Sequence, residues 1–203
     1  MTIHSFQDSL AKSQAQQNAP WWDGVYRLAF PSLRSSVSVR DDGWAQRGGI
    51  DRVLTLASGR TVTVDEKVRD KDWNDILLER WSDEAKRVPG WIQKPLACDF
   101  IAYAFVPSQR CYLFPTLTLQ RAWWQNGQQW VQAYPEIRAD NGRYVTVSVG
   151  VPINVLKCAV ADAMLVCWGE YDGQKDFAGS LNEGYQAIRQ RQAAGGPGWE
   201  RGK

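Results

Sequence analysis

The sequence predicts an α/β fold in which helices flank a mixed central β-sheet. Residues 50–68 alternate between apolar and polar side chains as a β-hairpin does, and residues 98–106 form the nearly continuous apolar run of a strand buried on both faces. Other segments repeat apolar residues at intervals of three and four, which indicates amphipathic helices. Strands and helices therefore alternate along the chain, as in α/β domains.

The first part of the chain is predicted to contain two helices and a strand. A short amphipathic helix is expected over residues 2–17, and a second over residues 20–30 that begins near Pro20. Trp22, Tyr26 and Phe30 recur four residues apart on this second helix and form an apolar stripe. Residues 35–40 alternate as a strand with Val37 and Val39 facing inward. The turn signal Asp41-Asp42-Gly43 follows.

The remaining elements are predicted from the same patterns. The hairpin has strands at 50–56 and 61–68, joined by the turn Ser58-Gly59. Later elements, in chain order, are a helix over 70–87 ended by Pro89-Gly90, strands at 98–106 and 110–114, a helix over 115–128, a loop over 130–143, a strand at 144–149 and helices over 152–164 and 181–192. We expect one domain over residues 1–192 and a flexible tail over 193–203.

Composition excludes several classes of protein. The 203-residue chain has a net charge of only +2, so any nucleic-acid surface must be a local basic patch. No run of eighteen apolar residues and no signal-peptide core is present, which predicts a cytoplasmic protein without membrane spans. The only histidine is His4, and this argues against Ser-His-Asp hydrolases and histidine metal sites. The four cysteines are widely spaced, as in buried free thiols rather than a zinc ribbon.

The hairpin carries the residues with catalytic potential. Alternation along its second strand places Asp65 and Lys67 on one face, about 7 Å apart along the strand. With a simple register, Asp51 on the first strand meets Asp65. Two carboxylates about 4 Å apart repel by roughly 4 kcal/mol at an effective dielectric of 20, so such a pair shares a proton or holds a cation. For oxygen ligands that cation is Mg²⁺ or Mn²⁺.

Two further polar residues are candidates beside this pair. Lys67 can donate to a scissile phosphate, or orient or deprotonate an attacking water. Gln46 approaches Asp51 through two glycines, and its amide is a candidate to reach a phosphate or a metal-bound water. The alternative for Gln46 is a loop residue that faces solvent. Asn74 and Glu79, on the helix predicted over 70–87, either face the site or lie on the solvated face of that helix, and the solvated face is preferred.

Gly49-Ile50-Asp51 and Asp65-Glu66-Lys67, with this spacing, resemble the PD-(D/E)XK nuclease superfamily. The resemblance implies a restriction-endonuclease-like core, in which Asp51 and Asp65 ligate Mg²⁺ or Mn²⁺ and Lys67 is the catalytic lysine. It also implies that the backbone carbonyl of Glu66 adds a metal ligand. Ile50 stands where the family usually has proline. The family often places a further acidic residue on the preceding helix.

That further acidic residue has two candidates here. Asp23 lies on the second predicted helix and is the first choice, while Asp8 on the first predicted helix is the second. Asp23 is equally explained as an acidic residue in a first helical turn, where the helix dipole favours it.

The predicted function is a metal-dependent nuclease that hydrolyses DNA in a phage, defence or repair setting, with RNA as the alternative substrate. The alternatives are a catalytically silent scaffold that binds nucleic acid or a protein, and a homo-oligomer joined through tryptophans. Exposed tryptophans such as Trp21, Trp44 and Trp124 are candidates to stack on bases, and the alternative for most of the eleven is core packing. Basic residues surround the motif and are candidates for phosphate contacts, namely Arg47, Arg52, Arg60, Arg69, Lys71 and Lys94.

Overall fold

The computed structural model describes residues 19–169, all of which belong to one compact unit. The helices are α1 (Trp21–Ala29), α2 (Gly43–Arg47), α3 (Thr116–Ala133) and α4 (Ile153–Ala159). The strands are β1 (Leu33–Ser38), β2 (Arg52–Leu56), β3 (Thr61–Arg69), β4 (Asp75–Asp83), β5 (Val88–Pro89), β6 (Phe100–Phe105), β7 (Arg110–Pro115), β8 (Glu136–Asp140), β9 (Val145–Pro152) and β10 (Met164–Cys167). The expectations for His4, Asp8, the helices at 2–17 and 181–192 and the tail lie outside the described residues.

A six-stranded mixed sheet is the centre of the fold, as the sequence predicts. Its strand order is β1-β2-β3-β6-β7-β10, and β3 and β6 are parallel while every other neighbouring pair is antiparallel. The predicted hairpin is β2 and β3, in register from Arg52 opposite Val64 to Thr55 opposite Thr61. Gly59 in its turn has a φ of +83°, which favours glycine at that position.

Helices and a second sheet cover the two faces of this large sheet. On one face, Trp22 and Tyr26 of α1 are fully buried against Leu54, Val64 and the alanines of β6. On the other face, the aromatic residues of β6 and β7 pack against α3, α4 and the four-stranded antiparallel sheet β5-β4-β9-β8. No helix within residues 19–169 is long and apolar enough to cross a membrane.

The helix predicted over residues 70–87 is wrong, because Asp75–Asp83 is strand β4. It pairs with β9 from Asp75 opposite Pro152 to Trp81 opposite Val147. Ile76 and Leu78 are fully buried two residues apart, as on one face of a strand. A short apolar run fits both helical and strand spacing, and here the pairing with a strand distant in sequence decides the outcome.

Two later boundaries also differ from the prediction. The loop expected over 130–143 is instead the last turn of α3 followed by β8, which pairs with β9. The helix expected over 152–164 ends at Ala159, and Met164–Cys167 forms β10 at the edge of the large sheet. Both corrections have the same cause, because strand pairing depends on partners that local patterns do not show.

The inward orientation predicted for Val37 is also wrong, since its side chain is 54% exposed. β1 is an edge strand that pairs only with β2 among the described strands, and its remaining side chains are mostly exposed serines and arginine. Apolar alternation on an edge strand therefore did not identify a buried face.

Candidate active site

Asp65 and Lys67 lie side by side on β3, on the face of the large sheet that the small sheet and α3 cover. Their strand is rich in valine and threonine, which favour extended backbone. In the parallel pairing of β3 with β6, Asp65 lies opposite Ile101. The Lys67 Nζ atom is 2.6 Å from Asp65 Oδ1, and the Asp65 side chain is 5% exposed. The structure therefore places an ion pair, with a buried carboxylate and a partly exposed lysine, at the position that the alternation predicts.

Asp51 reaches this pair through a tight turn. Gly49 has a φ of +67°, and a Cβ atom there would be only 2.6 Å from Leu96, so glycine is needed both for conformation and for space. The Asp51 N–H then donates to the Val64 carbonyl at 2.9 Å, and Asp51 Oδ2 accepts the Glu66 N–H at 2.8 Å. These bonds hold the Asp51 carboxylate beside Asp65.

Burial and charge act together on this cluster. Burial, with the adjacent Asp51, raises the pKa of Asp65 from 3.8 to about 6, although Lys67 opposes the shift. Burial alone would lower the pKa of Lys67, but Asp65, Asp51 and Glu79 outweigh burial and raise it above its ordinary value. Lys67 is thus held as an ammonium ion, which favours donation to a phosphate over deprotonation of a water.

Arg40 is a site residue that the sequence did not indicate. Its NH2 atom lies 3.1 Å from Asp51 Oδ2 and 2.8 Å from Glu66 Oε2, so one guanidinium binds both carboxylates. The placement follows from the pairing of β1 with β2, since the Val39 N–H donates to the Asp51 carbonyl at 2.9 Å. The signal available in the sequence was the predicted strand at 35–40, whose end adjoins Asp51 if that strand pairs with the hairpin.

The Glu66 side chain faces away from Asp65, into the core beneath α1. Its Oε1 accepts hydrogen bonds from Tyr26 OH at 2.8 Å and Arg52 Nε at 2.6 Å, and its Oε2 accepts one from Arg40. The carboxylate is fully buried and has charged or polar partners at both oxygens. A metal contact from Glu66 is therefore confined to its backbone carbonyl, which remains a prediction.

The structure does not bring Asp23 or Gln46 into contact with the carboxylate pair. Asp23 is 55% exposed on α1, and its Oδ1 lies 3.8 Å from Arg52 NH1, on the Glu66 side of the sheet. Gln46 is exposed on α2 and donates its side-chain N–H to the Arg40 carbonyl. Gln46 therefore meets the site only through Arg40.

Glu79 and Trp91 complete the surroundings of Lys67, and the sequence did not identify either one. Glu79 lies on β4, where its Oε1 accepts the Trp91 N–H at 3.2 Å. The Lys67 Nζ atom is 5.8 Å from the centre of the Trp91 ring. Burial raises the pKa of Glu79, which the Trp91 N–H and the charges of Lys67 and Lys94 only partly offset. The helix predicted over residues 70–87 places Glu79 on a solvated face, whereas strand β4 places it beside Trp91.

The donor set fits Mg²⁺ in its usual mode of binding. Among residues 19–169, no three histidine, cysteine, aspartate or glutamate side chains form a group able to hold a metal ion. Mg²⁺, however, is commonly bound by one or two carboxylates together with waters and substrate phosphates. Asp51 and Asp65 supply those two carboxylates, and their mutual repulsion is relieved by a cation.

Exposed aromatic and basic groups are also present. Trp44 is 80% exposed with the Arg47 guanidinium 5.2 Å from its ring centre, and Trp124 is 70% exposed on α3. Trp21, in contrast, is half-buried and stacks on Trp168 with ring centres 4.7 Å apart. The structure thus leaves Trp44 and Trp124 available for stacking on bases.

Comparison with known proteins assigns no family. The chain matches no family model and no curated protein. Among solved structures it is similar to a bacterial homing endonuclease, I-Ssp6803I, with 14% identity, a TM-score of 0.36, and coverage of 89% of this chain and 93% of that one. A similarity at this TM-score does not establish shared function.

Proposed function

We propose that the protein is a Mg²⁺-dependent nuclease that hydrolyses phosphodiester bonds in DNA. The observation that carries the proposal is the group Asp51, Asp65 and Lys67, in which the buried Asp65 carboxylate lies 2.6 Å from the lysine and has Asp51 as a like-charged neighbour. Perturbed carboxylates with a specific charged partner are a mark of functional sites. The resemblance of the same residues to the PD-(D/E)XK superfamily supports this chemistry, and a phage, defence or repair setting rests on that resemblance alone.

Each side chain has a distinct task in the proposed reaction. Asp51 and Asp65 hold the cation, which when bound supplies positive charge against the charge that develops on the phosphate. Lys67, as an ammonium ion, donates to a phosphate oxygen or orients the attacking water. Arg40 fixes the Asp51 carboxylate through an ion pair at the same Oδ2 atom that accepts the Glu66 N–H.

Binding of nucleic acid then depends on local groups, because the net charge is only +2. Trp44 and Arg47 lie on α2, which leads directly into the turn before Asp51. A base stacked on the Trp44 ring would add roughly 1–3 kcal/mol to the binding free energy. Arg47 would contribute a phosphate contact beside it.

The decisive experiment is cleavage of plasmid, linear double-stranded and single-stranded DNA, with RNA in parallel, in Mg²⁺, Mn²⁺ or chelator. Lys67→Met is expected to lower the cleavage rate by about 10²-fold or more, because it removes a donor that the ion pair with Asp65 holds in place. Asp51→Asn should abolish the cleavage that depends on the cation, because it removes one of the two proposed ligands. Lys157→Met is the matched control, since Lys157 is an exposed lysine on α4 that has no proposed role in binding or cleavage. Cleavage by Lys67→Met at the wild-type rate would contradict the proposal.

A second candidate, a non-catalytic scaffold that binds nucleic acid or a protein, is favoured by the charge balance of the site. Arg40 and Lys67 already pair with Asp51 and Asp65, so the two carboxylates have two cations without a metal. This candidate predicts binding of DNA that is indifferent to Mg²⁺ and to Lys67→Met. Binding without cleavage in the same assay would identify it.

A further inference from the structure

We propose that Glu79 is a positioning residue that accepts the Lys67 ammonium when a divalent cation occupies Asp51 and Asp65. The inference rests on the cation site of the proposed function. It assigns a role to a carboxylate on β4, outside the hairpin that carries the other site residues.

Lys67 lies between the two sheets. On the large sheet its Nζ atom contacts Asp65 Oδ1 at 2.6 Å, and on the other side it approaches the Trp91 ring, 5.8 Å from the ring centre. The Trp91 N–H binds Glu79, and the Glu79 charge acts on Lys67. The ammonium ion therefore contacts Asp65 on the large sheet and shares the neighbour Trp91 with Glu79 of the small sheet.

Close backbone packing fixes the position of Glu79. A Cβ atom on Gly90 would be 2.1 Å from the Glu79 carbonyl oxygen, so only glycine allows this approach, and the Gly90 N–H donates to the Arg80 carbonyl at 2.8 Å. On its other side Glu79 stands opposite Ser148 of β9. The carboxylate is thus held at one place, with Oε1 bound to Trp91 and Oε2 without a hydrogen bond among residues 19–169.

The proposed role of Glu79 follows from the charges of the cation and of Lys67. Asp51 and Asp65 would hold a divalent cation, and its charge would repel the Lys67 ammonium that lies beside Asp65. The lysine side chain has four rotatable bonds and can turn its charge toward the free Oε2 of Glu79. Without that acceptor, the ammonium stays on Asp65 and competes with the cation. Glu79 therefore favours cation binding only through Lys67.

The test is a double-mutant cycle on cation affinity, measured by calorimetry with Mn²⁺ and the full chain in the absence of nucleic acid. Glu79→Gln is expected to weaken Mn²⁺ binding about tenfold in the wild-type background, a coupling within the range found for residues in contact. In the Lys67→Met background the same change should alter affinity by less than about twofold. Glu79→Asp, which keeps the charge with a shorter reach, should lie between wild type and Glu79→Gln.

Asp83→Asn is the matched control, because it removes one negative charge near the far end of β4, where Asp83 binds Lys86. Its Mn²⁺ affinity should equal that of the wild type. Equal affinity of Glu79→Gln and wild type, or an equal loss in both backgrounds, would overturn the inference. A wild type that binds Mn²⁺ with this coupling but cleaves nothing would overturn the proposed function alone, and a wild type that binds no Mn²⁺ would overturn both.

Discussion

Asp65 and Glu66 are neighbours on β3, equally buried, and held in opposite ways. Their residue exposures are 4% and 5%. Glu66 faces α1 and accepts hydrogen bonds from Tyr26, Arg52 and Arg40, whereas Asp65 faces the small sheet with Lys67 as its cation and Asp51 as a like-charged neighbour. Burial therefore does not distinguish a structural carboxylate from one that we propose to be functional. The balance of donors and charges around each one does.

The two faces are joined by Arg40, which binds Glu66 and Asp51 with the same NH2 atom. A fully bonded Glu66 thus fixes the guanidinium that orients Asp51. Rigid support of this kind keeps site residues in place, as preorganised sites require. The comparison predicts that substitutions on the Glu66 face lower the free energy of unfolding. Substitutions on the Asp65 face are expected to reduce cleavage and can raise the free energy of unfolding.

The largest effect is expected for Glu66→Ala. Removing this carboxylate takes from the buried Arg52 and the half-buried Arg40 the acidic group that they share, which lowers the free energy of unfolding by about 3–5 kcal/mol. Urea denaturation in chelator measures the loss. Glu136→Ala is the matched control, because Glu136 also binds two arginines, Arg80 at 2.8 Å and Arg138 at 3.1 Å, but at a partly exposed position. Its cost should be below about 1 kcal/mol, and equal costs for both variants would break the comparison.

An intermediate effect of opposite sign is expected for Asp65→Asn. The change removes a buried charge that burial and Asp51 disfavour, so in chelator at pH 7 it should raise the free energy of unfolding by about 1–3 kcal/mol. The same variant should not cleave DNA. Denaturation of wild type and variant in parallel provides the measurement, and a variant less stable than wild type would show that the ion pair with Lys67 dominates.

The pH dependence of the stability gained from Asp65→Asn follows from the raised pKa of Asp65. The pKa of Asp65 is raised from 3.8 to about 6, so the folded protein retains the proton over this interval more than the unfolded chain does. The contribution of Asp65 to stability is complete below about pH 3.8 and is lost as pH rises through about 6. The stability gained from Asp65→Asn should therefore grow between pH 4 and pH 7, and a difference that stays constant would contradict the assignment.

These two faces also show what a sequence can predict. The alternation of β3 and the turn at Gly59 are local, so they predicted the placement of Asp65 beside Lys67 and the hairpin that brings Asp51 to them. Arg40 and Glu79 enter through pairing with β2 and β9, and β9 is some seventy residues beyond β4. No local pattern specifies those partners. The sequence thus predicted the half of the site built by one hairpin, and missed the half contributed by the strands around it.

The smallest effect is expected for Asp23→Asn, and it sharpens the boundary between the faces. Asp23 is 55% exposed and 3.8 Å from Arg52, so its loss should change stability by less than about 1 kcal/mol. Because it lies on the Glu66 side, it should also leave Mn²⁺ affinity within about twofold of wild type, whereas Asp51→Asn should lower that affinity at least about tenfold. Calorimetry on both variants compares them directly. Equal losses would show that α1 supplies a cation ligand, as the resemblance implies, and that the division between the two faces does not hold at Asp23.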